Sequence, residues 1–133
     1  MNSIYTKIIR GELPAFRLWE SDLSIAILDI NPINPGHTLL IPKQQIDYIF
    51  DLPDELYNHM WQVVKWFAPL IQQAMDCERI GIAVEGFSVP HVHIHLVPVN
   101  SGNELNPERA TSASSEELTI IQNKILQAIA NSG

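Results

Sequence analysis

Three of the five histidines in this chain fall on alternate positions of one short stretch, His91-Val92-His93-Ile94-His95-Leu96-Val97. In an extended strand neighbouring side chains point to opposite faces. That predicts His91, His93 and His95 on one surface and Val92, Ile94 and Leu96 on the other. The apolar set is what a strand needs to sit on a core. The imidazole set admits three readings. Packing alone gains little from stacking three titratable rings, which repel one another if they charge. Neutral imidazole is a common metal ligand, and three histidines can hold a catalytic zinc ion. Imidazole is also a nucleophile and an acid or base near neutral pH, so a middle histidine could attack while its neighbours orient it and donate protons.

The other reactive residue types are sparse. His37 heads an apolar run just after a loop with two prolines and a glycine, and reads either as a site residue or as a solvated turn exit. His59 falls in a helical pattern and reads as structural. The single cysteine, Cys77, excludes an intramolecular disulfide and a multi-cysteine zinc site, and is expected to be a reduced thiol.

The elements that must position these residues can be read in order. Residues 3–10 predict a short helix with Ser3 as N-cap, Gly11 as its stop, and Tyr5, Ile8 and Ile9 facing inward. Phe16 to Glu20 and Ser24 to Leu28 read as a β-hairpin, Asp29 to Gly36 as a loop, and His37 to Pro42 as a third strand. From Asp51 to about Met75, apolar residues recur at helical spacing, with Asp51 to Pro53 supplying a cap and a first-turn proline. Pro69 predicts a kink, or an early end near Ala68. Trp61 and Trp66 on this helix could form an exposed apolar flank for a partner. Arg79 to Val84 is a strand that should pair antiparallel with the histidine strand through Glu85 to Pro90. Residues 99–113 are polar and aperiodic, as mobile or functional loops are. Ser114 and Glu117 have capping-box spacing before a final helix to about residue 131, with Leu118, Ile121, Ile125 and Ile129 on one stripe. Five strands, three helices and no βαβ alternation predict one α+β domain over 1–133, its sheet mainly antiparallel and the histidine strand central or nearly so.

Composition narrows the partners. A formal net charge of -7 argues against an extended nucleic-acid footprint, while a small anionic ligand needs only a local pocket of oriented donors. No apolar run reaches membrane-span length and the first residues do not look like a secretory signal, so the cytoplasm is the expected location.

Three blocks together resemble the histidine triad (HIT) superfamily and, within it, the Hint-like nucleotide-binding branch. They are Lys7 to Ala15; Asp29-Ile30-Asn31-Pro32 with Pro35 to Lys43; and the His-φ-His-φ-His-φ-φ motif of His91 to Val97, where φ is apolar. The resemblance spans about residues 3–98. It implies a HIT-like fold and a hydrolase or transferase that cleaves a purine nucleoside phosphoramidate, ester or anhydride at the α-phosphorus through a nucleotidyl-histidine. Carried over, His93 is the nucleophile and the His91 backbone carbonyl fixes its tautomer. His95 and His37 contact the phosphate or leaving group, and Ser88 donates a hydroxyl beside the leaving group. Asp29 accepts from the ribose hydroxyls, and Tyr5, Ile8 and Ile27 belong to the apolar wall around the base. No cofactor is needed and a homodimer is implied. Ser3 and Thr6 stand where many relatives carry a zinc-binding cysteine pair, so no structural zinc is expected. Gly86-Phe87-Ser88-Val89 replaces the usual Gly-Gln-Ser/Thr-Val, and the loop before Gly86 is shortened and lacks a frequent asparagine. The alternatives are a nucleotide-binding or interaction protein with little turnover, a dinucleoside polyphosphate hydrolase, and a metal-dependent hydrolase.

Overall fold

A computed structural model describes all residues, 1–133. Its order is α1 (Ile4–Ile9), β1 (Arg17–Glu20), β2 (Ser24–Leu28), β3 (Thr38–Pro42), α2 (Asp54–Met75), β4 (Arg79–Ala83), β5 (Ile94–Val99) and α3 (Ser115–Ala130), with 3-10 turns at Ile49–Asp51 and Pro107–Arg109. The five strands form one antiparallel sheet in the order β1-β2-β3-β5-β4. The fold is α+β, and the histidine-bearing strand is next to an edge.

Strand alternation divides the sheet into two unlike faces. Ala26, Leu28, Leu40, Ile94 and Leu96 point to the side covered by α2, where Met60, Val63, Val64, Phe67 and Ile71 complete the main core and Leu118 and Ile125 of α3 join it. Ile25, Ile27, Leu39 and Ile41 point to the other side, where Tyr5 and Ile8 of α1 close a second cluster. His37, His95 and Val97 share the parity of this second face and lie outside that cluster. His95 and Val97 are thereby kept off the α2 core by the pleat itself.

Local chemistry explains the ends of these elements. Ser3 caps α1 by accepting from the Thr6 amide, and Ser114 caps α3 by accepting from the Glu117 amide at 3.1 Å. Gly36 has φ +92°, and a Cβ there would lie 2.6 Å from Met75 Cγ and 3.0 Å from Pro98 Cγ, so only glycine fits the turn into β3.

Three expectations change and a fourth gains detail. α2 continues through Pro69 to Met75 rather than ending near Ala68; its flanks are packed in the core, so the one main-chain bond that Pro69 cannot donate to residue 65 does not stop it. Its N-cap is Pro53, with no side-chain cap, and Asp51 belongs to the preceding 3-10 turn. The regular strand starts at Ile94, so His91 and His93 lie in the irregular lead-in, because the His91 amide donates to Val89 and the Val92 amide to Ile46 instead of to a neighbouring strand. Residues 99–113 contain the Pro107–Arg109 turn and are tied to the β2–β3 loop by Thr111 N–H to Pro32 O and Ala113 N–H to Ile30 O.

Candidate functional site

A cavity of about 380 Å³ opens on the sheet face away from α2. Five of the nine residues singled out from the sequence line it: Asp29, His37, Ser88, His93 and His95. The β2–β3 loop supplies Asp29, the start of β3 His37, the β4–β5 connection Ser88, and the motif itself His93 and His95.

The hydrogen bonds around the imidazoles assign their tautomers. His37 Nδ1 accepts from the Ile33 amide at 3.0 Å, so in the neutral ring the proton is on Nε2. That Nε2–H lies 2.9 Å from His95 Nδ1, with Asp29 Oδ2 at 3.6 Å, and donation to His95 leaves His95 with its proton on Nε2. His93 Nδ1 is 2.7 Å from the His91 carbonyl oxygen, an acceptor only, so His93 donates from Nδ1 and keeps a lone pair on Nε2. One carbonyl and one amide thus give neighbouring rings opposite characters: a lone pair at His93 Nε2 and a donor at His95 Nε2.

Burial keeps the flanking rings neutral. His37 and His95 are each pushed down to about 4, chiefly by desolvation of the imidazolium, with the His93 ring acting in the same sense on both and the His37 ring also on His95. Burial raises the Asp29 carboxyl, opposed by its bond from the Asn31 amide at 2.9 Å. Burial and then the Asp29 charge push the Tyr5 phenol up to about 12.

Four candidates lie outside the cavity lining. His91 is fully buried behind His93, where it donates from Nε2 to the Pro42 carbonyl at 2.8 Å and accepts at Nδ1 from Ser3 Oγ at 2.6 Å. Tyr5, Ile8 and Ile27 belong to the closed second cluster, with the Tyr5 ring centroid 5.0 Å from that of His93. The sequence reading missed Ile33, whose backbone amide sets the His37 tautomer, and the wall formed by Leu105, Pro107 and Ala110. Gly81 was the available signal for that wall: a glycine inside a strand marks close approach, and a Cβ there would sit 2.9 Å from Leu105 Cδ2.

Neither candidate metal centre has suitable free donors. Ligand atoms of Asp29, His37 and His95 fall within 4.8 Å of one another, but the Ile33 amide holds the proton of His37 on Nε2, and His95 Nδ1 takes that proton as acceptor. At the other centre, Ser3 and Thr6 offer neutral hydroxyls in place of thiolates. Thr6 Oγ1 donates to Gln45 Oε1 at 2.6 Å, and Ser3 Oγ is taken up by His91, so these residues do not fit a structural zinc ion.

The antiparallel sheet thus presents paired imidazoles of opposite proton character beside a carboxylate. The HIT domain family matches residues 10–102, and the chain belongs to the histidine triad superfamily. A Hit-like protein from Bartonella henselae is 32% identical with a TM-score of 0.85, over 96% of this chain and 96% of that one. A Zn-bound histidine triad family protein from Mycobacterium smegmatis is 28% identical with a TM-score of 0.85, over 99% and 96%. Adenosine 5'-monophosphoramidase HNT1 of Saccharomyces cerevisiae is 36% identical over 100 residues, 71% of this chain and 61% of its own length.

Proposed function

We propose that the protein is a nucleotide hydrolase or transferase that cleaves a purine nucleoside phosphoramidate, or a related ester or anhydride, at the α-phosphorus. The observation that carries this reading is the 2.7 Å contact between His93 Nδ1 and the His91 carbonyl, which leaves the Nε2 lone pair as nucleophile. His93 Nε2 forms a bond to phosphorus as the bond to the leaving group breaks. The leaving group departs with the electron pair and takes up a proton from solvent. Positive charge that develops on the His93 ring rests against the His91 carbonyl, and the His95 Nε2–H donates to a phosphoryl oxygen as charge builds there. Water then attacks phosphorus, the P–N bond breaks, the pair returns to Nε2, and the water proton leaves to solvent.

In this scheme Ser88 donates its hydroxyl beside the leaving group and Asp29 accepts from ribose. His37 acts through His95. Tyr5, Ile8 and Ile27 back the base from the second cluster, beside the Tyr5–His93 contact. The name of the yeast relative, a monophosphoramidase, supports an adenosine phosphoramidate as the first substrate to try.

Incubation with adenosine 5'-phosphoramidate after exhaustive chelation tests the reading. The native protein is expected to release AMP, and His93→Ala to lose about a thousandfold or more in kcat/KM. Tight AMP binding without turnover would favour the binding-protein reading instead, and loss of activity on chelation would favour the metal-dependent one.

A further inference from the structure

The proton on His37 is placed by the Ile33 amide, and that N–H shares its peptide plane with the Pro32 carbonyl. In a trans peptide the two groups point in opposite directions, and no peptide bond in the chain is cis. The Pro32 oxygen accepts from the Thr111 amide at 3.2 Å, while the Ile33 amide donates to His37 Nδ1 at 3.0 Å. One plane is thus gripped at both ends, by an imidazole on one side and by a distant stretch of main chain on the other. Side chains hold that stretch against the β2–β3 loop. Asn34 Nδ2–H donates to the Pro98 carbonyl near the end of β5 at 2.8 Å and to Glu104 Oε2 at 3.4 Å. Asn34 Oδ1 accepts from Arg109 Nη2 at 2.9 Å, and the same nitrogen lies 3.5 Å from Glu104 Oε2. Glu104 Oε1 in turn accepts from the Asn100 and Ser101 amides. Asn34, Glu104, Arg109 and Thr111 all lie outside the cavity lining, so they reach the site through the groups they hold.

We propose that residues 104–113 are a strap that sets the proton position on His37 and, through it, on His95. The Thr111 amide is the positioning donor, and Asn34, Glu104 and Arg109 are the clasp that keeps it in place. Were the Pro32–Ile33 plane to turn, His37 Nδ1 would lose its donor and the neutral ring could carry its proton on either nitrogen. His95 Nδ1 would then face a lone pair as readily as an N–H, and the Nε2–H of His95 would be present in only part of the molecules. The role of that N–H at a phosphoryl oxygen rests on the nucleotidyl-histidine reading; the proton positions themselves do not.

Long-range proton–nitrogen correlation spectra of the imidazole rings at neutral pH read these positions directly, whatever the activity. The native protein is expected to show an unprotonated Nδ1 on His37 and His95 and an unprotonated Nε2 on His93. Thr111→Pro removes the strap's amide, and Ala110, at φ -64° and ψ 131°, already has the conformation a residue takes before proline. This variant should turn His37 and His95 into mixtures of tautomers, whereas Thr111→Ala, which keeps the amide, should retain the native pattern. Arg109→Ala, at an exposed side chain, should move the pattern the same way to a smaller extent. With adenosine 5'-phosphoramidate, Thr111→Pro should lower kcat by about tenfold and affect KM less, short of the hundredfold or more that goes with losing a transition-state donor outright. A native pattern in folded Thr111→Pro, or in Arg109→Ala where the proline variant does not fold, overturns the strap. Mixed tautomers with an unchanged kcat leave the strap standing and overturn the donor role of His95 in the proposed reaction.

Discussion

At the scale of single residues, the site works by withholding protons from particular ring nitrogens. The Ile33 amide, the His91 carbonyl and the His37–His95 contact determine which nitrogen is a donor and which holds a lone pair. The arrangement depends on His37 and His95 being neutral, and burial holds both near 4. An unfolded chain protonates its histidines near 6.5. Between about pH 6.5 and 4 the unfolded state therefore binds more protons than the native state, and stability falls as pH falls through this window. The loss is on the order of a few kcal/mol for the pair and levels off below about pH 4; the raised Asp29 carboxyl opposes it in the acidic part of the window, above the ordinary carboxylate value of about 4. Urea unfolding between pH 7 and 4 should show a falling midpoint, and His37→Gln should flatten the dependence. The alternation of His91 to Val97 made the face of these rings legible from the sequence. Their tautomers were not, since they are set by backbone groups at positions 33 and 91 whose directions no side-chain pattern encodes.

At the scale of elements, α1 anchors the segment that carries His93. Ser3 Oγ accepts from the Thr6 amide at 3.0 Å to cap the helix and donates to His91 Nδ1 at 2.6 Å, while Gln45 Oε1 accepts from the Ser3 amide at 2.8 Å. The helix start, the segment after β3 and the carbonyl beneath His93 are thus joined in one network. Ser3→Ala removes the cap and leaves a buried imidazole nitrogen unpaired, and should cost about 2–3 kcal/mol in chemical denaturation. The cap at Ser3 and the stripe of α3 were readable because they are local. The passage of α2 through Pro69 was not, because tertiary packing outweighs one lost hydrogen bond. His59 is held by Ser24 Oγ at 2.9 Å, the structural role its helical setting suggested. Trp66, 41% exposed, packs at a tilt against Trp19 and edge-to-face against Phe67 at the flank expected to be apolar.

At the scale of the whole molecule, an acidic chain with net charge -7 carries a histidine cavity whose donors are neutral groups. No helix is long and apolar enough to cross a membrane. β4 ends the sheet with one unpaired edge and Ile82 42% exposed, and we propose that this edge carries the homodimer the resemblance implies; sedimentation equilibrium should give twice the chain mass, and a monomer mass at micromolar concentration would refute it. The α+β class and the β1–β2 and β4–β5 pairings were legible from periodicity and breakers, whereas the place of β3 between β2 and β5 was not, and the wall at 105–110 was hidden in a stretch with no repeat, organised by contacts to distant Gly81 and Pro32. The central claim is that phosphorus passes through a bond to His93, so two displacements occur in sequence. The most direct measurement is the stereochemical course at phosphorus, using one diastereomer of an adenosine thiophosphoramidate hydrolysed in heavy-oxygen water. Two in-line displacements give retention of configuration, the expected result. Inversion would mean that water attacks directly, and would contradict the account.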